Sequence, residues 1–282
     1  MPAYGRLALL FTVVAGLGLA GCSQGWGGFE RDTLNPGPAK GATTEPSDPW
    51  RERVRIPSGE RTLDAVRVMA PESCPGPKAA VLIFHGRGET VADWAQVQTR
   101  LRAACVSSVV FDYTGHGASS PGGNIARLNE DASAATAYFT ASFADTANRC
   151  LLSHSMGASP MLDMAARTPS ADCLVVASPF SSLKDMAVAG GLPRPIALFL
   201  TNPWDNVRAA SRTRARLLWV HSTSDAVLPI AMGRRVFDAA AGPKTAVTVS
   251  GFDHNAIYVA TPDAIWNPIL DFVRAPGGPG GT

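Results

Sequence analysis

The sequence predicts an α/β fold with a mostly parallel central sheet and helices on both faces, and three observations predict it. Between Trp50 and Arg274, apolar runs of strand length alternate with segments of helical spacing, the order expected of crossover connections between parallel strands. The runs Ala79–Phe84 and Val106–Phe111 are continuously apolar or small rather than alternating, as strands covered on both faces are. The chain has 282 residues, a length at which one α/β domain can bury well over half of its unfolded surface.

Two short edge strands are expected near 51–56 and 65–69, followed by a buried strand at Ala79–Phe84. Residues 89–104 have helical spacing, with Val91, Trp94, Val97 and Leu101 on one face. The strand Val106–Phe111 and a Gly-rich turn follow, then a helix over 129–143 and a very short strand at 150–153. A helix over 156–167, a strand at Cys173–Ala177 and another at 217–221 come next. The order closes with a helix over 229–241, a strand at 246–249 and a helix over 262–273 that contains Pro268. In such sheets functional residues gather at the carboxyl ends of the strands.

The N-terminus carries a different signal. Arg6 precedes an apolar run over 7–19, broken by Thr12, Gly16 and Gly18. The run is too short to cross about 30 Å of hydrocarbon as a helix and has the proportions of a signal-peptide core. Leu19-Ala20-Gly21-Cys22 resembles the lipobox of bacterial lipoproteins. The resemblance implies removal of 1–21, acylation of Cys22 and a membrane anchor on the extracytoplasmic side of a bacterial envelope; Ser23 favours the outer membrane under enteric sorting. An ordinary secretory signal or an uncleaved anchor are the alternatives. Residues 22–48, rich in Gly, Pro, Ser and Thr, read as a flexible tether, and 275–282 as a disordered tail, leaving a domain over 49–274. There is no internal repeat. Lys and Arg total 25 against 23 Asp and Glu, with no basic run, so nucleic acid is not an expected partner.

Four motifs carry chemistry. Ser153-His154-Ser155-Met156-Gly157 follows a strand and opens a helix, and resembles the nucleophile elbow G-x-S-x-G with serine at the first glycine. His85-Gly86-Arg87-Gly88 follows the first buried strand. A phosphate loop is the alternative there, but no lysine stands at the Walker position. His221-Ser222-Thr223-Ser224-Asp225, then Leu228-Pro229, resembles "HGxxDxxVP", with Ser222 for glycine. Its alternative is an Asp that caps the helix beginning at Pro229. Gly251-Phe252-Asp253-His254-Asn255 follows the last strand. Of five histidines, only His254 lies in a post-strand loop downstream of both Ser155 and Asp225.

From Arg51 to Arg274 the chain therefore resembles the α/β-hydrolase superfamily, and is most similar to its small, cap-poor esterase and lysophospholipase-like members. Phe111-Asp112-Tyr113 with Gly115, Gly117 and Ser119 resembles "DYRGYGxS"; Ser178-Pro179-Phe180-Ser181-Ser182-Leu183 resembles "SPFTSL"; and Trp204-Asp205-Asn206 resembles "FDN". The resemblance implies the α/β-hydrolase fold with a minimal cap. It also implies a Ser155 nucleophile, a His254 base oriented by Asp225, and oxyanion donors at the Met156 and Arg87 amides. The expected reaction is cleavage of a carboxylic ester, on a small molecule or a lipid, through an acyl-enzyme. Peptide or amide cleavage, acyl transfer, and an inactive envelope-binding lipoprotein are the alternatives, the last motivated by Ser153 and Ser222. No cofactor or metal is implied. Within this fold Cys74 and Cys105 precede neighbouring strands, as do Cys150 and Cys173, which implies disulfides Cys74–Cys105 and Cys150–Cys173; four inert thiols are the alternative. The apolar stretch at 196–200 is expected to form a small lid or a lipid-facing patch.

Overall fold

The computed structural model describes residues 26–36, 48–76 and 78–275. The expected signal peptide at 1–21, Cys22 and the tail beyond 275 lie outside them. The strands are β1 (Arg51–Ser58), β2 (Arg61–Val68), β3 (Ala79–Phe84), β4 (Val106–Phe111), β5 (Asn148–His154), β6 (Cys173–Ala177), β7 (Arg216–Ser222) and β8 (Lys244–Val249). The helices are α1 (Gly27–Thr33), α2 (Ala95–Ala103), α3 (Ile125–Ser142), α4 (Ala158–Arg167), α5 (Leu183–Ala189), α6 (Arg194–Ala197), α7 (Asn206–Ala210), α8 (Ile230–Ala239), α9 (Ala256–Val259) and α10 (Asp263–Arg274).

The strands form one sheet in the order β1-β2-β4-β3-β5-β6-β7-β8. Pairing is parallel from β4 through β8 and antiparallel at β1–β2 and β2–β4. The second strand is thus not an edge: β2 is clamped between β1 and β4. Side chains of β3 alternate between two cores. Ala80, Leu82 and Phe84 join one apolar cluster; Ala79, Val81 and Ile83 join the other. That two-sided burial is why the run shows no polar alternation.

The expected helix over 89–104 begins only at Ala95. The six residues before it are held as a turn: Asp93 accepts from the Thr90 amide at 2.8 Å, and Glu89 accepts from the Gly86 amide at 2.8 Å. Conversely, α3 starts four residues earlier than expected, because the Asn124 side chain caps it through the Arg127 amide at 2.8 Å.

Part of the expected tether is structured. Leu34 is fully buried in the core, with Trp26 packed against the same cluster. Glu30 accepts from the Ile125 amide at 2.9 Å, and the Asn35 amide side chain bonds Gly123 both ways, at 2.6 and 2.8 Å. Seven helical residues are too few to show an apolar period, so burial of Leu34 and hydrogen bonds to distant backbone, not helical propensity, order this segment.

Both disulfides are present, Cys74–Cys105 with Cα atoms 5.7 Å apart and Cys150–Cys173 with Cα atoms 4.6 Å apart. Cys150 and Cys173 do not precede their strands; they lie within β5 and β6 as register partners. Sequence separations of 31 and 23 residues correspond to about 3–4 kcal/mol each on chain-entropy grounds.

Candidate active site

Ser155 stands at the carboxyl end of β5 with φ of 52°, followed by a three-residue 3₁₀ turn, Ser155–Gly157, and then α4. A non-glycine residue held at positive φ is uncommon and is typical of a strained elbow. Gly157 is required: a Cβ there would overlap the carbonyl oxygens of Phe84 and His85. Ser153 is buried and its hydroxyl donates to the Val175 carbonyl at 3.4 Å, so the elbow tolerates serine at its first small position. The amide of Met156 lies in the first turn, among the donors that a helix start leaves without an intrahelical partner. Arg87 lies in the loop after β3, with an exposed side chain.

Asp225 follows β7 and serves two structures at once. Its Oδ1 accepts from the Val227 and Leu228 amides, both at 2.9 Å, holding the turn into α8. Its Oδ2 meets His254 Nδ1 at 2.7 Å and lies 3.4 Å from His221 Nε2. The turn-capping role and the histidine-orienting geometry coexist on one carboxylate. Burial works against its charge, but hydrogen bonds from His221, His254 and the Leu228 amide hold its carboxyl well below the usual carboxylate range.

His254 is 9% exposed, in the loop after β8. Its Nε2 has no protein partner among the described residues, and no hydrogen bond joins it to Ser155. Such bonds are often long before substrate binds. Burial depresses its basicity, and the nearby His154 charge acts in the same direction, against the pull of Asp225.

Three residues with no assigned role at the sequence level complete the arrangement. Ser222, one of the two departures from the glycine pattern, donates to the Phe252 carbonyl at 2.6 Å and so laces the Asp225 loop to the His254 loop. His154 packs its ring 4.7 Å from that of His254 and donates from Nε2 to the His254 carbonyl at 2.9 Å. Its Nδ1 meets Glu89 Oε1 at 2.7 Å, while Glu89 Oε2 accepts from the Gly86 amide at 2.8 Å and Trp94 Nε1 at 2.9 Å. Burial opposes both charges, yet each sustains the other: the His154 ring is held above its ordinary value and the Glu89 carboxyl below its own. Elbow, His85–Gly88 loop and histidine loop thus share one buried ion pair. The only sequence signal for it was an acidic residue just after the glycine loop. His85 is structural, its Nδ1 donating to the Gly86 carbonyl at 2.8 Å and its Nε2 lying 3.5 Å from Asp112.

Ser155, Asp225 and His254 therefore share the carboxyl edge of the sheet, after β5, β7 and β8. Two clefts of about 360 and 400 Å³ elsewhere are lined by residues such as Ser182 and Arg208, and Asn129 and Arg167, and contain none of these three. Between β6 and β7 only the short helices α5, α6 and α7 intervene. The cap is minimal.

A family model described as serine aminopeptidase, S33, matches residues 75–207. In overall structure the chain is similar to the Pyrococcus furiosus esterase Pf2001, with a TM-score of 0.64 at 16% identity over 86% of this chain and 100% of that one. This chain has the α/β-hydrolase fold. It is also similar to a soluble variant of monoglyceride lipase from Saccharomyces cerevisiae, with a TM-score of 0.62 at 13% identity over 82% of this chain and 97% of that one. Among sequence relatives, an uncharacterized protein of Mycobacterium tuberculosis is 28% identical over 71% of this chain and 74% of its own length. Human alpha/beta hydrolase domain-containing protein 17B is 27% identical over 65% of this chain and 62% of its own length.

Proposed function

We propose that this α/β-hydrolase is a serine esterase of the bacterial cell envelope, anchored through an acylated Cys22. The observation that carries the catalytic reading is the 2.7 Å bond from His254 Nδ1 to Asp225, taken with a serine held at φ 52° on a strand-to-helix elbow. Asp225 keeps the proton on Nδ1, so Nε2 presents its lone pair as the base. Ser155 Oγ attacks the ester carbonyl carbon and His254 Nε2 takes the hydroxyl proton. The oxyanion forms beside the Met156 and Arg87 amides, where each such donor is worth about 2.7–4 kcal/mol of barrier. Collapse breaks the acyl–oxygen bond, and His254 returns the proton to the departing alcohol. Water then repeats the sequence on the acyl-enzyme: His254 takes its proton, hydroxide adds to the carbonyl, and Ser155 leaves reprotonated with release of the acid.

Esters are favoured as substrates by the names of the structural neighbours, an esterase and a monoglyceride lipase. The serine aminopeptidase description of the family model supports a second reading, cleavage of an aminoacyl amide. The test is a fluorophosphonate probe applied to the full chain, with Ser155→Ala and His254→Ala alongside and mass spectrometry of the labelled peptide. Labelling confined to Ser155 and lost in both variants is expected. A folded chain that does not label is instead a binding protein of the envelope. Parallel assays on p-nitrophenyl acyl esters and aminoacyl anilides separate the two substrate readings.

A further inference from the structure

Most exposed large apolar side chains among the described residues lie in connections that leave the carboxyl ends of β6, β7 and β8. Ile196, Leu198 and Phe199 are 52%, 77% and 87% exposed, on and just after α6. Val227 follows Asp225, and Val259 ends the short helix that follows His254. Of the exposed large apolar side chains among the described residues, Met69 alone belongs to none of these connections leaving the carboxyl ends of β6, β7 and β8. Ser155, Asp225 and His254 likewise follow the carboxyl ends of β5, β7 and β8. Exposed apolar clusters on a soluble body mark contact with another phase or partner.

The start of the described chain indicates which. Trp26 Nε1 donates to both the main-chain carbonyl and the hydroxyl of Thr201, each at 3.1 Å, two residues beyond Phe199. From there α1 runs to Leu34 and Asn35, which seat against the Thr114–Gly123 loop at the carboxyl end of β4. The N-terminal segment therefore reaches the body beside the apolar 192–201 segment. Cys22 lies four residues before Trp26, a span of at most roughly 14 Å. An acyl chain on Cys22 brings the bilayer to the side of the protein where Leu198 and Phe199 stand exposed. Arg194, exposed, and Lys184, half-buried, flank them with charge suited to anionic headgroups.

We propose that the 192–201 segment is a bilayer-docking surface, seated in the lipid interface by the anchor at Cys22, so that the Ser155 site faces the membrane and draws its ester from it. The proposal rests on the reading of Cys22 as the acylated anchor and of Ser155 as the nucleophile. The acyl chains hold the protein to the membrane; the apolar side chains orient it, the second of the two signals that stable, oriented attachment uses.

The experiment takes the full chain, produced with its leader and reconstituted into phosphatidylethanolamine–phosphatidylglycerol vesicles. Wild type is compared with the double variant Leu198→Asp/Phe199→Asp by hydrogen–deuterium exchange and by two turnovers, of a water-soluble acyl ester and of an ester embedded in the vesicle. The expected result is amide exchange over 192–201 at least about threefold slower in wild type, with other peptides unchanged. Vesicle-ester turnover falls about tenfold in the variant while soluble-ester turnover is retained, which also shows the variant to be folded. Equal exchange over 192–201 in the two proteins overturns the docking surface. The mass of the N-terminal peptide reads Cys22 separately: an unmodified cysteine overturns the anchor. Exchange does not depend on catalysis, so failure of Ser155 to label removes the esterase reading without being mistaken for failure to dock.

Discussion

His154 and His254 pack with ring centres 4.7 Å apart and planes tilted by 43°, and His154 holds the main-chain carbonyl of His254 at 2.9 Å. The residue immediately before the proposed nucleophile therefore grips the residue proposed as its base. Because Glu89 occupies the other ring nitrogen at 2.7 Å, the position of His254 depends on an ion pair buried behind it.

Glu89→Gln is expected to loosen that grip. The amide is isosteric and still offers an oxygen to the Gly86 amide, but it no longer stabilises an imidazolium. Ester turnover is predicted to fall about 10- to 100-fold in kcat, since misplacement of a reacting group by an ångström costs on that order. Stability should fall by about 1–3 kcal/mol as a buried charged partner is lost. Steady-state kinetics and urea unfolding on one preparation check both; unchanged kcat would limit Glu89 to a packing role.

The pH dependence follows from His254. The base works as neutral imidazole, so kcat/KM rises with pH through its pKa and levels off above it. Burial and the neighbouring His154 charge set that pKa below the ordinary histidine value, so the acid limb should fall below about pH 6.5. His154→Gln removes the neighbouring positive charge while leaving Glu89 negative, and both changes favour the protonated base. Its acid limb should move to higher pH, and profiles of kcat/KM for the two proteins decide this directly.

Asp225→Asn separates the two duties of that side chain. Asparagine oxygen can still accept from the Val227 and Leu228 amides, so the turn into α8 should survive and the melting temperature change little. Its NH₂ group faces His254 Nδ1 as a donor and favours the wrong tautomer, for which a loss of about 10⁴ in kcat is expected. Folding retained with turnover nearly abolished is the predicted pair of results.

Ser222→Gly restores the residue that the motif calls for and removes the 2.6 Å bond to the Phe252 carbonyl. A loss of about 1 kcal/mol in stability is expected from one such bond. Slower fluorophosphonate labelling of Ser155 should accompany it, because the His254 loop loses its tie to the Asp225 loop. Labelling as fast as wild type would show that the tie does not set the position of the base.

By itself the sequence determined the α/β class and the order of the strands, with β3, β4 and β6 delimited to the residue. Motifs in it also singled out Ser155, Asp225 and His254 as candidates, and the resemblance they carry implied the two cysteine pairings that the structure contains. The strands and the candidate residues are encoded locally, in an apolar run, a small residue at a tight turn or a motif of fixed length. Only the tertiary structure decided what depends on elements distant along the chain. Ser153 and Ser222 break a glycine pattern in sequence, yet in space one is accommodated beside β6 and the other ties two loops together. Glu89 and His154 stand 65 positions apart, and no periodicity relates them. The helix at Gly27–Thr33 is too short to announce itself and exists because Leu34, Glu30 and Asn35 find partners near residues 113–125. Burial and hydrogen bonds between remote segments have no local signature, which is why the candidate nucleophile, acid and base stood out in the sequence and the support around them did not.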